Sequence, residues 1–294
     1  MFDDFSAYFF ENVVTAFVDY REISLDAKSG ASRDIRNALT AASALFHVRE
    51  HVPTAFGISR SEVEQKCPDY ALLGDIVNAA KHRRISNRTP HGNPHATDAG
   101  QISEQIVVTD YEDDEGVYRH YEKLVCVKRS DGIERNLMEV LTNVINFWEK
   151  HLYSLGLIDS EQQFIFVENN KKRSRTECTN TQMGLCITKG QRFAQKFKFQ
   201  RFDNQAGKVV PVDLTGSNII FTVRRPPNIE IEIALHCDET QAISRETVKL
   251  TDEESFKYGS ATTEDERNEI VQSFESVQIA IQKLLLESQR SNAK

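Results

Sequence analysis

Asp75, Asn78 and His82 recur at spacings of three and four within Leu72-Leu73-Gly74-Asp75-Ile76-Val77-Asn78-Ala79-Ala80-Lys81-His82. A helix stacks residues so spaced on one face. A carboxylate, an amide and an imidazole arranged in that way can orient, hold and move a proton. Each is also a poor helix former, so three on one face of an otherwise apolar pattern mark a purpose beyond solubility. Lys81, Arg83, Arg84 and Arg88 leave this helix and run into a loop with His91 and His95. Clustered cations there can receive phosphates, with Arg binding them bidentately. The competing reading is structural: a buried polar network between helices, ended by cations that complement the helix dipole.

A second constellation is His47-Val48-Arg49-Glu50-His51. Its H-x-x-E-H pattern is that of inverted zinc peptidases, in which two His a turn apart hold the metal and Glu activates water. Glu122 or Glu134 could supply a further carboxylate. A looser site would combine His47 and His51 with Asp75 or His82 across two packed helices. The short connection of about 53–68 makes these helices antiparallel neighbours. The four side chains are therefore expected to approach one another, as a hydrogen-bonded polar cluster rather than a filled metal site.

The spacing of Asn78 and His82 resembles the R-N-x-x-x-H motif of HEPN domains, a helical family. The resemblance covers the helical part of residues 1–155: short helices, the polar helix face and the basic segment after it. It implies an RNA-binding or RNA-cleaving protein of the kind found in bacterial toxin and antiviral defence systems. It also implies a homodimer and chemistry that needs no metal or cofactor. His82 would be the proton-transfer residue, Asn78 its positioner, Asp75 a third member of the face, and Lys81, Arg83, Arg84 and Arg88 the RNA contacts. Val77 stands where the family has Arg, and Arg36-Asn37 has Ala41 where the His would fall. Two other classes therefore compete with a ribonuclease. One is a non-catalytic protein-interaction module with a degenerate site, its β-rich domain binding another protein. The other is a metal-dependent hydrolase using His47 and His51.

Farther along, Arg192, Lys196 and Lys198 alternate with Phe193, Phe197 and Phe199. Basic and aromatic interleaving suits single-stranded nucleic acid, but strict alternation puts rings and charges on opposite faces, the rings toward a core. The chain has no P-loop, no G-x-G-x-x-G after a strand and no G-x-S-x-G elbow, which disfavours a nucleotide-driven motor, a dehydrogenase and an α/β-hydrolase.

The elements that must position these residues follow from hydrophobic period. Helical spacing covers 2–20, 32–52 (Ser32 as N-cap, Pro53 as stop) and about 69–85. The period switches near 102 to two strands, 102–108 and 117–128, joined by the acidic turn Glu112–Gly116. It returns to helix over 134–155, with Gly156 as a stop. A β-rich stretch pairs 218–223 with 229–235. Finally 263–288 places Ile270, Phe274, Val277, Ile281 and Leu284 as a seam that either docks on its own chain or pairs with a partner. The fold class is α+β: a helical N-terminal domain (1–156) with an antiparallel hairpin insertion, a β-rich domain (160–250) and a long C-terminal helix (262–290).

Length, at 294 residues, allows two modest cores. The net charge of −8 is unevenly spread: residues 160–225 carry 12 basic and 5 acidic side chains, net +7, between flanks of −8 and −7. The acidic whole argues against indiscriminate nucleic-acid binding. The basic middle is either a local contact surface or the complement of its acidic flanks. Five scattered cysteines without a C-x-x-C spacing argue against a thiolate zinc site and a disulfide framework. No apolar run approaches the ~20 residues of a membrane span, and the start, Met1-Phe2-Asp3-Asp4-Phe5, lacks a signal peptide's basic residues. A cytoplasmic protein is expected.

Overall fold

The computed structural model describes residues 4–30, 32–83, 90, 93–167, 171–178, 183–186, 196–216, 229–237, 242–261 and 263–292. It is an α+β protein that divides into two compact units, Met1–Leu214 and Thr215–Lys294. Among the described residues no helix is long and apolar enough to cross a membrane.

The first unit opens with α1 (Phe5–Tyr8), a π-helical stretch Phe9–Val14 and α2 (Thr15–Leu25). A short strand β1 (Lys28–Gly30) leads to α3 (Arg33–His51). Ser32 holds the N-cap position of α3, but its hydroxyl makes no cap. The cap comes from a strand instead: Glu104 Oε1 accepts the Ile35 amide at 2.9 Å. Then come α4 (Arg60–Lys66), which Ser59 and Glu62 start with a reciprocal capping box, and α5 (Asp69–His82).

The hairpin β2 (Ile102–Asp113) and β3 (Gly116–Lys128) follows. β2 runs into the acidic stretch and β3 starts at its end, where Gly116 supplies the positive φ of 109° that the tight turn needs. Residues 134–136, expected as helix, form the short strand β4 (Glu134–Asn136) instead. Asn136 then caps α6 (Leu137–Ser154), whose apolar stripe ends in Trp148 and Leu152 before Gly156 at φ 67°.

The stretch 160–250 does not stand as one β-rich body. Its first half rejoins the hairpin: β6 (Lys196–Asp203) pairs parallel with β2, and β7 (Lys208–Pro211) closes a five-stranded sheet of order β4-β3-β2-β6-β7. β5 (Gly184–Cys186) pairs parallel with β1. One face of this sheet, through Ile102, Val125 and Val127, packs against Phe9, Phe17, Leu45, Leu73, Leu141 and Trp148 of the helices.

A buried cation fastens sheet to helices. Lys123 on β3 is 5 % exposed, and its Nζ reaches Asp34 Oδ1 (2.8 Å), Asp26 Oδ1 (2.7 Å), Ile23 O (2.7 Å) and Lys28 O (2.6 Å). Arg33 also bonds Asp26. Burial pushes Asp26 up, yet the bonds from Lys123, the Lys28 amide and Arg33 outweigh it and hold the carboxyl below its usual range. For Asp34 burial outweighs Lys123, and the carboxyl is raised.

In the second unit β8 (Glu230–Cys237) pairs antiparallel with β9 (Ala242–Lys249). Residues 229–235 thus take their partner from 242–249, while 218–223 lie outside the described residues. Helices α7 (Asp252–Ser260), α8 (Glu264–Ser273) and α9 (Glu275–Asn292) follow. The expected single C-terminal helix is broken at Phe274, whose backbone is extended. Phe274, Val277 and Leu284 dock on the unit's own hairpin, whereas Ile281 is exposed.

Candidate functional site

Helix α5 carries the first constellation. Asp69 in its first turn and Lys81 and His82 in its last suit the dipole. Gly74, mid-helix, is there for space: a Cβ would come 2.7 Å from Phe46 Cε2 and 2.5 Å from Arg60 Nη2. Phe46 stacks on Tyr70 (5.3 Å between ring centres), the Tyr70 hydroxyl donates to the Phe46 carbonyl at 2.6 Å, and Arg60 lies over the Phe46 ring. This cluster clamps the end of α3 to α5. It is marked in the sequence only by the glycine.

On the polar face, Asp75 is fully buried. Asn78 is partly buried, and its Nδ2 donates to the Gly74 carbonyl one turn back at 2.8 Å. Val77 packs against the main core. Lys81, His82 and Arg83 are exposed, and Arg83 ends the helix at φ 63° with its carbonyl accepting the Ala99 amide at 2.9 Å. Arg84 and Arg88, expected as RNA contacts, lie outside the described residues, as does His91. The face therefore grades from buried Asp75 to exposed His82 and does not present the three groups together.

His47 and His51 look elsewhere. With Arg36, Leu39, Thr40, Ser43 and Ala44 of α3, and Tyr8 and Asn12 of the N-terminal helix, they line an open groove of about 700 Å³. The His51 ring lies 4.2 Å from Tyr8, and His47 Nδ1 meets Glu50 Oε2 at 3.0 Å. Burial raises the Tyr8 hydroxyl, with a bond from Asn12 opposing and the Glu50 charge adding. The expected gathering of His47, His51, Asp75 and His82 does not occur. Phe46, between the two faces of α3, takes the contact with α5 and leaves the histidines toward Tyr8. Among the described residues no three His, Cys, Asp or Glu side chains are placed to hold a metal ion.

The basic middle meets the acidic hairpin. Arg175 pairs with Asp113 at 2.6 Å and with Glu115 at 3.4 Å, lies over the Tyr118 ring, and donates to the Gly116 carbonyl. Lys196 sits 3.8 Å from Glu134. Lys196 and Lys198 are exposed, while Phe197 and Phe199, pointing to the other face, are partly buried; Arg192 and Phe193 are outside the described residues.

Sequence reasoning passed over His120. It lies on β3 opposite Thr109, is 6 % exposed, and its Nδ1 has no hydrogen-bond partner among the described residues. Burial, with the Arg173 charge adding, pushes its pKa down to about 4. Thr109 instead accepts from Gln200 Nε2 at 2.9 Å. The only sequence signal was its strand alternation with Tyr118, since an inward-facing His has the same spacing as an inward-facing apolar residue.

Comparison with known proteins brings no relative: no family model, curated protein or solved structure matches this chain.

Proposed function

We propose that this chain is a non-catalytic interaction module, with a HEPN-like helical region whose polar face has become structural. The observation that carries this reading is the state of that face. Asn78 is bonded into its own helix, Asp75 is buried, and Val77 faces the core where an active relative would present Arg. A general acid–base site needs its groups within hydrogen-bond reach of a common substrate atom, and a fully buried carboxylate about two turns behind an exposed imidazole does not meet that need. The open groove beside Tyr8 and His51 offers a shallow surface of mixed aromatic, amide and imidazole groups of the kind a partner could lie against.

A broad panel of single- and double-stranded RNAs, incubated with wild type and with His82→Ala, tests the reading. The expected result is intact RNA in both. Cleavage by the wild type that vanishes in the variant restores the ribonuclease, with His82 moving the proton, Asn78 positioning it, and Arg83 and Arg84 holding phosphate.

A second reading, RNA binding without cleavage, is favoured by the run of exposed Lys81, His82 and Arg83 at the end of α5. Such binding would weaken steeply with salt and fall further in Lys81→Glu/Arg83→Glu. Salt-insensitive or absent binding removes it.

A further inference from the structure

Helix α3 sets His47 and His51 one turn apart, and both line the open groove beside the N-terminal helix. Imidazoles at i and i+4 stand about 5–6 Å apart at Cβ, a span that one ion bridges through two metal–nitrogen bonds of ~2.0–2.1 Å. Each ring is already held. His47 Nδ1 meets Glu50 Oε2 at 3.0 Å, which leaves Nε2 as its ligating nitrogen. A carboxylate behind a ligating His is the usual support of a metal site, because it fixes the tautomer and the ring direction. The His51 ring packs by its face on Tyr8, 4.2 Å between centres, and its nitrogens, which lie in the ring plane, stay available to the groove. The facing wall carries Asn12, within the π-helical stretch Phe9–Val14. Such stretches are rare and recur at functional sites.

We propose that His47 and His51 chelate one late first-row divalent cation, with Glu50 orienting His47 and water completing the coordination. Imidazole nitrogen suits Zn²⁺, Ni²⁺ and Cu²⁺, whereas Mg²⁺ and Ca²⁺ seek oxygen. Among the described residues no third His, Cys, Asp or Glu joins the pair. The site is therefore an open chelate on a shallow groove, not a closed structural centre of four protein ligands. Its surroundings do not repel a cation. Glu50 turns Oε2 to His47 and has Arg49 at 3.8 Å from Oε1, so the two nearest charges balance. Arg36, the groove's other cation, lies about three turns back along α3. That is ~16 Å by helical rise, past the ~8–10 Å over which charge acts in physiological salt.

Titration calorimetry of the full chain with Zn²⁺, with Ni²⁺ and with Mg²⁺ tests this. About one equivalent of Zn²⁺ or Ni²⁺ per chain is expected, and no Mg²⁺. His47→Ala and His51→Ala should each remove binding at concentrations that saturate the wild type, because one imidazole cannot chelate. Glu50→Gln should weaken it about 10-fold, the lower end of what losing an outer-shell partner costs. His82→Ala, at the exposed end of α5, should bind as the wild type does. Location has its own readout: paramagnetic Cu²⁺, added in small amounts, should broaden the magnetic-resonance signals of Tyr8 before those of His82. The substituted side chains are partly or fully exposed, and far-ultraviolet circular dichroism checks that every variant stays folded. A wild type that binds neither Zn²⁺ nor Ni²⁺ overturns the proposal, and so does binding that His47→Ala and His51→Ala both keep. Binding that Glu50→Gln leaves unchanged overturns the orienting role of Glu50.

Discussion

Removing the Lys123 ammonium should be among the most damaging single changes to the first unit. Lys123→Met keeps the stem that crosses the sheet face but strips four oxygen atoms of a common donor: Ile23 O, Lys28 O, Asp26 Oδ1 and Asp34 Oδ1. Asp34 suffers most, because it is 3 % exposed and its Oδ2 already has no hydrogen-bond partner among the described residues. Breaking a buried pair by deleting one member costs about 3–5 kcal/mol, since the surviving charge stays desolvated. That is a large share of a domain's ~5–15 kcal/mol.

The deficit carries its own signature in pH. Asp34 is raised above its unfolded value by burial even with Lys123 present, and loss of the ammonium raises it further. A carboxyl raised on folding favours the protonated native state, so the variant's deficit is full at neutral pH and shrinks as pH falls through the native pKa. Urea unfolding at pH 7 and pH 5 measures both effects, and Asp34→Asn in the Lys123→Met background should recover part of the loss. A deficit below ~1 kcal/mol, or one independent of pH and of Asp34→Asn, would refute the reasoning.

Other perturbations have equally definite outcomes. His120 is held neutral with a pKa of about 4; the unfolded chain takes up the proton first, so its contribution to stability falls between about pH 6.5 and pH 4. The loss is up to ~3 kcal/mol, and His120→Gln should flatten the slope in urea titrations across that window. Gly74→Ala gains about 1 kcal/mol of helix propensity but drives a methyl into Phe46, which Tyr70 holds in place. A net loss of about 1–3 kcal/mol and a lower Tm are expected, as for other overpacked sites. Asn146 grips the Phe164 backbone twice, at 2.8 Å to both amide and carbonyl; Asn146→Ala should free the segment after α6, read as faster amide exchange around Phe164 with little change at α3.

The helices and the hairpin were legible in the sequence because each has a one-sided apolar pattern and recognisable ends. Gly156 stopped α6 as expected, and the acidic turn joined β2 to β3. What was hidden depends on contacts distant in sequence. The parallel pairing of β6 with β2 joins residues about ninety apart, so the stretch 160–250 divides where local pattern shows no division. A separation of 69 residues likewise hid the cap of α3, which comes from Glu104 and not from Ser32. At the candidate site, spacing placed Asp75, Asn78 and His82 on one face correctly but could not give depth, and depth separates a buried carboxylate from an exposed imidazole. His47 and His51 were on the right helix, yet Phe46 decided which way they point.

Single-turnover incubation of end-labelled RNA with the protein in large excess asks whether the α5 face performs chemistry. Under those conditions even one slow cleavage per protein molecule is visible on a gel. Intact RNA with wild type, His82→Ala and Asn78→Ala alike is the outcome expected of an interaction module, in which Asn78 bonds only the carbonyl of Gly74 in its own helix among the described residues. Cleavage by the wild type that is lost in His82→Ala, and kept in a His47→Ala/His51→Ala control, would show the face to be an active ribonuclease site.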